Sequence, residues 1–75
     1  MRFIRDPFLT GRPDLTPWRH VFHASLPTID WEALEQVSDW CEDQFGPEGK
    51  RWSATGWRVN FRDSVDATAF MVRWV

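Results

Sequence analysis

The stretch Asp63-Ser-Val-Asp-Ala-Thr-Ala-Phe-Met-Val-Arg-Trp-Val75 decides the fold, because it supplies the last packing element of a short chain. Asp63-Ser-Val-Asp66 is turn chemistry, and Ala67 and Phe70 have the spacing of one helical turn. Phe70, Val72 and Trp74 then alternate with Met71 and Arg73. A period of two predicts a strand with one buried face. Immediately upstream, Trp57, Val59 and Phe61 alternate with Arg58, Asn60 and Arg62, which predicts another strand. Trp52 and Ala54 fall on the opposite parity, so Thr55-Gly56 is expected to mark a bulge or bend that switches faces.

Further outward, residues 30–45 change period. Placed at about 100° per residue, Trp31, Ala33, Leu34, Val37, Trp40, Cys41 and Phe45 gather on one half of a helical wheel. Glu32, Glu35, Asp39, Glu42 and Asp43 fill the other half, the pattern of an amphipathic helix with an acidic solvent face. Thr28 or Asp30 can cap its start. Gly46 stands where a left-handed residue ends a helix, and Pro47 prevents continuation. From Arg19 to Leu26, the apolar residues Phe22, Ala24 and Leu26 alternate with polar ones, giving a first strand stopped by Pro27. Residues 1–18 hold three of the five prolines and read as an irregular arm, although Phe3, Ile4, Phe8, Leu15 and Trp18 make it too apolar for a disordered tail.

The expected architecture is therefore α+β: an irregular arm over residues 1–18 and one small domain over residues 19–75. In that domain a single amphipathic helix packs on a three-stranded antiparallel sheet. The order β-α-β-β, with strands arranged 1-3-2, is half of a ferredoxin-like fold. The expected core is Phe22, Leu26, Leu34, Val37, Cys41, Phe45, Val59, Phe61, Phe70, Val72 and Trp74. Seventy-five residues lie near the lower limit for one unstapled core. Most apolar residues must be buried, or a second subunit must complete the core. Cys41 is the only cysteine, which rules out an intrachain disulfide and favours a reducing compartment. The N-terminal residues show no secretory signal, and apolar runs are far shorter than the roughly 20 residues needed to span a bilayer.

Charge is segregated. All nine Lys and Arg lie outside residues 20–49, which hold seven of the eleven acids. The three segments 1–19, 20–49 and 50–75 carry net charges of +2, −7 and +3. A molecule with a negative and a positive side is expected, a property that bears on partner choice and association rate.

The segments Asp39-Trp-Cys-Glu-Asp-Gln-Phe-Gly46, Trp57-Arg-Val-Asn-Phe-Arg62 and Asp66-Ala-Thr-Ala-Phe-Met-Val-Arg-Trp74 resemble small proteins of tailed bacteriophages. In those proteins a Trp-containing helix ending in Gly is paired with a C-terminal Asp-Ala-x-x-Phe-x-x-Arg-Trp segment. The resemblance covers residues 20–75 and implies a phage product acting in the cytoplasm of a bacterial host or packed in a virion. It carries over no functional residue.

No catalytic constellation emerges from the spacing. His20 and His23 are three apart on a strand and point to opposite faces, so they cannot share a metal. Cys41 lies on the apolar stripe, where a free Cys acts as a small hydrophobe. Gly46-Pro-Glu-Gly-Lys50 follows a helix and lacks the Ser or Thr after Lys that a phosphate loop needs. The chain is therefore read as a non-enzymatic protein, with no cofactor, metal or small-molecule substrate indicated. Two surfaces remain. Arg58, Asn60, Arg62, Met71, Arg73 and His23 are expected to share the open face of the sheet, and the helix acids form the second face. A protein partner or self-association through the arm, the open sheet or the acidic helix is the favoured function. The alternative is nucleic-acid binding through the arginine-bearing sheet, disfavoured by a net charge of −2.

Overall fold

The computed structural model describes residues 2–25 and 31–75. In chain order these form β1 (Phe3–Arg5), β2 (His20–Ala24), α1 (Trp31–Phe45), β3 (Trp52–Thr55), β4 (Arg58–Phe61) and α2 (Ser64–Trp74). The strands make one antiparallel sheet in the order β1-β2-β4-β3. The fold is α+β, as expected, with both helices on one face of the sheet.

Three expectations about the sheet are corrected. The C-terminal segment is helix α2 instead of a third strand. Consequently no strand lies between β2 and β4, which pair directly through His20–Phe61 and Phe22–Val59. The outer places belong to β1, drawn from the segment expected to be an irregular arm, and to β3. Finally, Gly56 and Trp57 form a two-residue hairpin between Thr55 and Arg58. Gly56 has φ 59°, and no non-glycine residue among those described has positive φ, the arrangement of a type II′ turn. The turn reconciles the two parities, since Trp52 and Ala54 lie directly opposite Phe61 and Val59 on one face.

The reason α2 resembles a strand in sequence is visible in its exposure. Ala67 and Phe70 are buried and Trp74 is partly buried, but Val72 is 85% exposed. Val72 is therefore not a core residue. The apparent alternation arises because apolar residues on opposite sides of the helix interleave. Helix signals are present: Asp63 occupies the N-cap with extended backbone, and its carbonyl accepts from Ala67 N–H. Asp66 in the first turn suits the positive end of the helix dipole.

Helix α1 follows its sequence more closely. Leu34, Val37 and Cys41 are buried, and Trp40 and Phe45 pack at the margin of the core. Gly46, at φ 87°, donates its N–H to Glu42 O at 2.9 Å, a single left-handed C-terminal cap. The Trp52 indole N–H donates to Gly46 O at 2.7 Å, so the fully buried Trp52 also satisfies a carbonyl at the helix end. Trp31, placed on the apolar half of the wheel, is exposed, as is Trp57 in its turn. Leu26, Pro27, Thr28 and Asp30 lie outside the described residues.

The core is an aromatic cluster around Phe70. Its ring lies 5.3 Å from that of Phe3, 5.0 Å from Phe22, 5.1 Å from Phe61 and 6.3 Å from Trp40. Phe45 meets Phe61 edge-on at 5.4 Å and Trp40 at 5.8 Å. Such pairs add to the burial of their area. Phe3, Trp52 and Ala67 join the expected core residues Phe22, Leu34, Val37, Cys41, Val59, Phe61 and Phe70. At about 0.05–0.15 kcal/mol per residue, a domain of this size is stable by roughly 4–11 kcal/mol. Phe70→Ala removes about 3–5 kcal/mol. Urea unfolding followed by Trp fluorescence should show stability lowered by that amount; a loss below about 1 kcal/mol would refute the central place given to this ring.

Candidate interaction surfaces

The expected sheet-face site is not assembled. Direct cross-strand pairing places His23 beside Arg58, and Asn60 beside Val21, on the face away from the helices. Asn60 is buried and donates to Ser53 Oγ at 3.2 Å. Arg62 lies just beyond β4. Met71 and Arg73 belong to α2, in the opposite layer. The Met71 sulfur accepts from Arg5 at 3.3 Å, and the Arg73 guanidinium stacks on Trp74 at 4.2 Å. Of the six residues, only His23, Arg58 and Asn60 share a sheet face. The reason is again α2, whose helical turn sends Met71 and Arg73 away from the sheet's open side.

His23 and His20 do point to opposite faces. His23 Nδ1 lies 3.2 Å from Asp6 Oδ2. Asp6 Oδ1 accepts from the N–H groups of Phe8 and Leu9 at 2.9 and 3.0 Å, turning the chain out of β1. Burial pushes the Asp6 pKa upward, but these two N–H groups and His23 together bring it below the usual carboxylate value. An Asp–His pair is part of a hydrolytic triad, yet no hydroxyl or thiol among the described residues hydrogen-bonds to the His23 ring. On the helix side, Arg5 Nη1 lies 3.1 Å from His20 Nδ1 and must donate to it, which requires a neutral His20. Burial and the nearby Arg5 and Arg19 lower the His20 pKa. Among the described residues no group of three potential metal ligands comes together.

Three arginines line up at one end of the sheet. Extending the observed registers by one residue sets Arg19, Arg62 and Arg51 side by side across β2, β4 and β3, and Arg62 N–H donates to Arg51 O. Arg51 is the neutralised member: its guanidinium grips Asp66 through Nε at 2.7 Å and Nη2 at 3.0 Å. The pair ties β3 to the first turn of α2, and Asp66 is buried. A shallow cleft here is lined by Arg19, His20, Arg51, Arg62 and residues 63–66, so Asp63 adds a counter-charge. The acids Glu32, Glu35, Asp39, Glu42 and Asp43 are all exposed on α1, as its period predicts.

The surface missed in the sequence is the outer side of α2. Val65 and Val72 are 78% and 85% exposed, with exposed Thr68, Ala69 and Val75 between and beside them. At about 100° per residue, these five occupy the side opposite Phe70. Thr68 donates its hydroxyl to Ser64 O at 2.7 Å, so its polar group is spent within the helix and its methyl is left for the surface. Arg73, the basic residue of the last turn, is folded onto Trp74. The stripe therefore carries no charge, in a chain of which 27% is charged.

Cys41 offers no reactivity. Its thiol is fully buried, and burial pushes its pKa up to about 12. Compared with family models, curated proteins and solved structures, the chain matches none.

Two outcomes follow from this geometry. Cys41 should be alkylated by iodoacetamide at pH 8 only through unfolding, at a rate that rises with urea; rapid modification in native buffer would contradict its burial. Asp6→Ala should cost about 1–3 kcal/mol at pH 7. Because the folded Asp6 pKa is depressed, its contribution is present above the unfolded value of about 3.9 and is lost as pH falls through the folded one. The gap between wild-type and variant urea midpoints should thus narrow as pH falls below about 4; a gap that stays undiminished at about pH 2 would overturn the assignment.

Proposed function

We propose that this chain is a small non-enzymatic binding protein that engages another protein chain through the outer face of α2. One observation carries the reading: α2 buries Ala67 and Phe70 in the core and still presents Val65 and Val72 to solvent on its other side. Leaving apolar area in water on a helix otherwise rich in charge-free positions costs solubility, and a partner recovers it. The acidic face of α1 supports the same function differently. It directs which partners approach, favouring those without strong negative charge nearby.

Nucleic-acid binding is the weaker reading. Its expected arginines, Arg58, Arg62 and Arg73, are dispersed. Two of the three charges in the row formed by Arg19, Arg51 and Arg62 are countered by Asp63 and Asp66. The resemblance to phage proteins makes a bacterial lysate the natural source of partners and supports a location in the host cytoplasm or the virion.

The test is a comparison of wild type with V65E/V72E. Both positions are exposed, so near-UV circular dichroism from the six Trp should be unchanged. Immobilised wild type should retain a protein from bacterial lysate or from phage-infected cells that the variant does not. Identical retention by the two proteins would sink the proposal.

A further inference from the structure

We propose that the hollow between the β1–β2 connection and the start of α2 binds a small phosphate monoester carried on a flat ring, of the chemical class of a nucleoside monophosphate. The inference is independent of the contact-face reading, since it uses neither Val65 nor Val72. A cavity of about 630 Å³ is walled here by Pro13, Pro17, Trp18, Arg19 and His20. That volume lies within the about 300–1,000 Å³ of small-molecule sites. Arg19 and His20 also line the shallow cleft at the start of α2, where Arg62 joins them, so the two spaces adjoin at this pair of residues.

Each space suits one half of such a ligand. In the first, Trp18 is half-buried, and its ring meets no other aromatic ring or guanidinium among the described residues. With Pro13 and Pro17 it offers flat apolar faces on which a ring can stack. The cation nearby, Arg12, is already spent, since its Nε and Nη2 donate to Asp14 at 3.1 and 2.9 Å. In the second, the pairing of His20 with Phe61 sets Arg19 opposite Arg62. Like charges directly opposite across two strands are destabilising. Neither guanidinium makes a hydrogen bond or ion pair with any described residue, and both line the same cleft. A phosphate dianion between them relieves that repulsion and accepts a charge-assisted bond from each.

His20 adds a neutral donor. Its Nδ1 accepts from Arg5 at 3.1 Å, so the neutral ring carries its own proton on Nε2. No described residue accepts from that N–H, and the ring stands in the wall common to both spaces. One phosphate is all the site holds. The next cation of the row, Arg51, is occupied by Asp66, and Asp63 opposes any further negative charge. A mononucleotide therefore fits where a nucleic-acid backbone does not.

The site is tested by NMR titration of the isotope-labelled full chain with adenosine monophosphate, adenosine and inorganic phosphate. The monophosphate should shift the Trp18 indole and the Arg19 and Arg62 resonances with a sub-millimolar midpoint. Adenosine and phosphate each fill one half, and their midpoints should lie about tenfold higher or more. Arg62→Gln, which keeps the backbone N–H bond to Arg51 O, should weaken the monophosphate by about tenfold. Asp63→Asn should tighten it severalfold, because the Asp63 carboxylate opposes the phosphate and makes no capping bond in α2. A merely structural defect would not tighten binding. No shift at about 10 mM monophosphate, a midpoint matched by adenosine or by phosphate alone, or a midpoint unmoved in either variant would overturn the proposal.

Discussion

Four of the six described elements meet at one ring and a fifth, α2, supplies it. Phe70 touches Phe3 of β1, Phe22 of β2, Phe61 of β4 and Trp40 of α1, all within 6.3 Å between centroids. A chain of 75 residues has little volume with which to fill a two-layer core. Large flat rings packed edge-on solve that problem, since each buries much area while fixing few torsions. The constraint runs in both directions. Phe70 can reach four rings only if α2 lies across β1, β2 and β4, and that position is held at its start by Arg51 gripping Asp66 and along its length by Arg5 reaching Met71.

The same placement explains how an apparently spare N-terminal segment becomes structural. Phe3 meets Phe70 in an edge-on contact, and Asp6 turns the chain by accepting from Phe8 and Leu9. Thr10 then stands in for a strand residue, its hydroxyl bonding to both the N–H and the C=O of Val21. The prolines of residues 7–17 lie in the connection between β1 and β2, where no ladder bond is required of them. Three residues of strand suffice because their one buried side chain lands on the central ring.

Helix α1, its glycine stop and the strands β2 and β4 were legible in the sequence because each has one apolar side and one polar side, the condition under which period identifies structure. Cys41 as an inert core residue and the two histidines on opposite faces followed from the same logic. The edge strands were not legible. Phe3–Arg5 shows only one inward residue, too short a run for any period, and Trp52–Thr55 is legible only as a parity shift, which a bulge accounts for as well as the two-residue hairpin that causes it. Helix α2 failed for a different reason. Its outward Val65, Ala69 and Val72 interleave with inward Ala67, Phe70 and Trp74, so that apolar residues recur at short intervals and imitate a strand. The dispersed arginine site failed with it, since Met71 and Arg73 were placed by that strand. Asp63 and Asp66 at helix-start positions, together with two alanines, were the signals pointing the other way.

An element at which a sequence rule fails is where a functional or strained site is expected. Folding requires only one apolar side of α2, and α1, which buries one side in the same way, covers its outer face with acids. On α2 that face carries valine, alanine and a threonine whose hydroxyl is turned inward. Any partner that covers it binds the folded state alone, since the stripe exists only when residues 64–74 are helical, and so it also stabilises the domain in proportion to its concentration. Exposed stripe and core share one short helix, with Phe70 on one side and Val72 on the other. Loosening the core around Phe70 would dissolve the stripe, and covering the stripe would tighten the core.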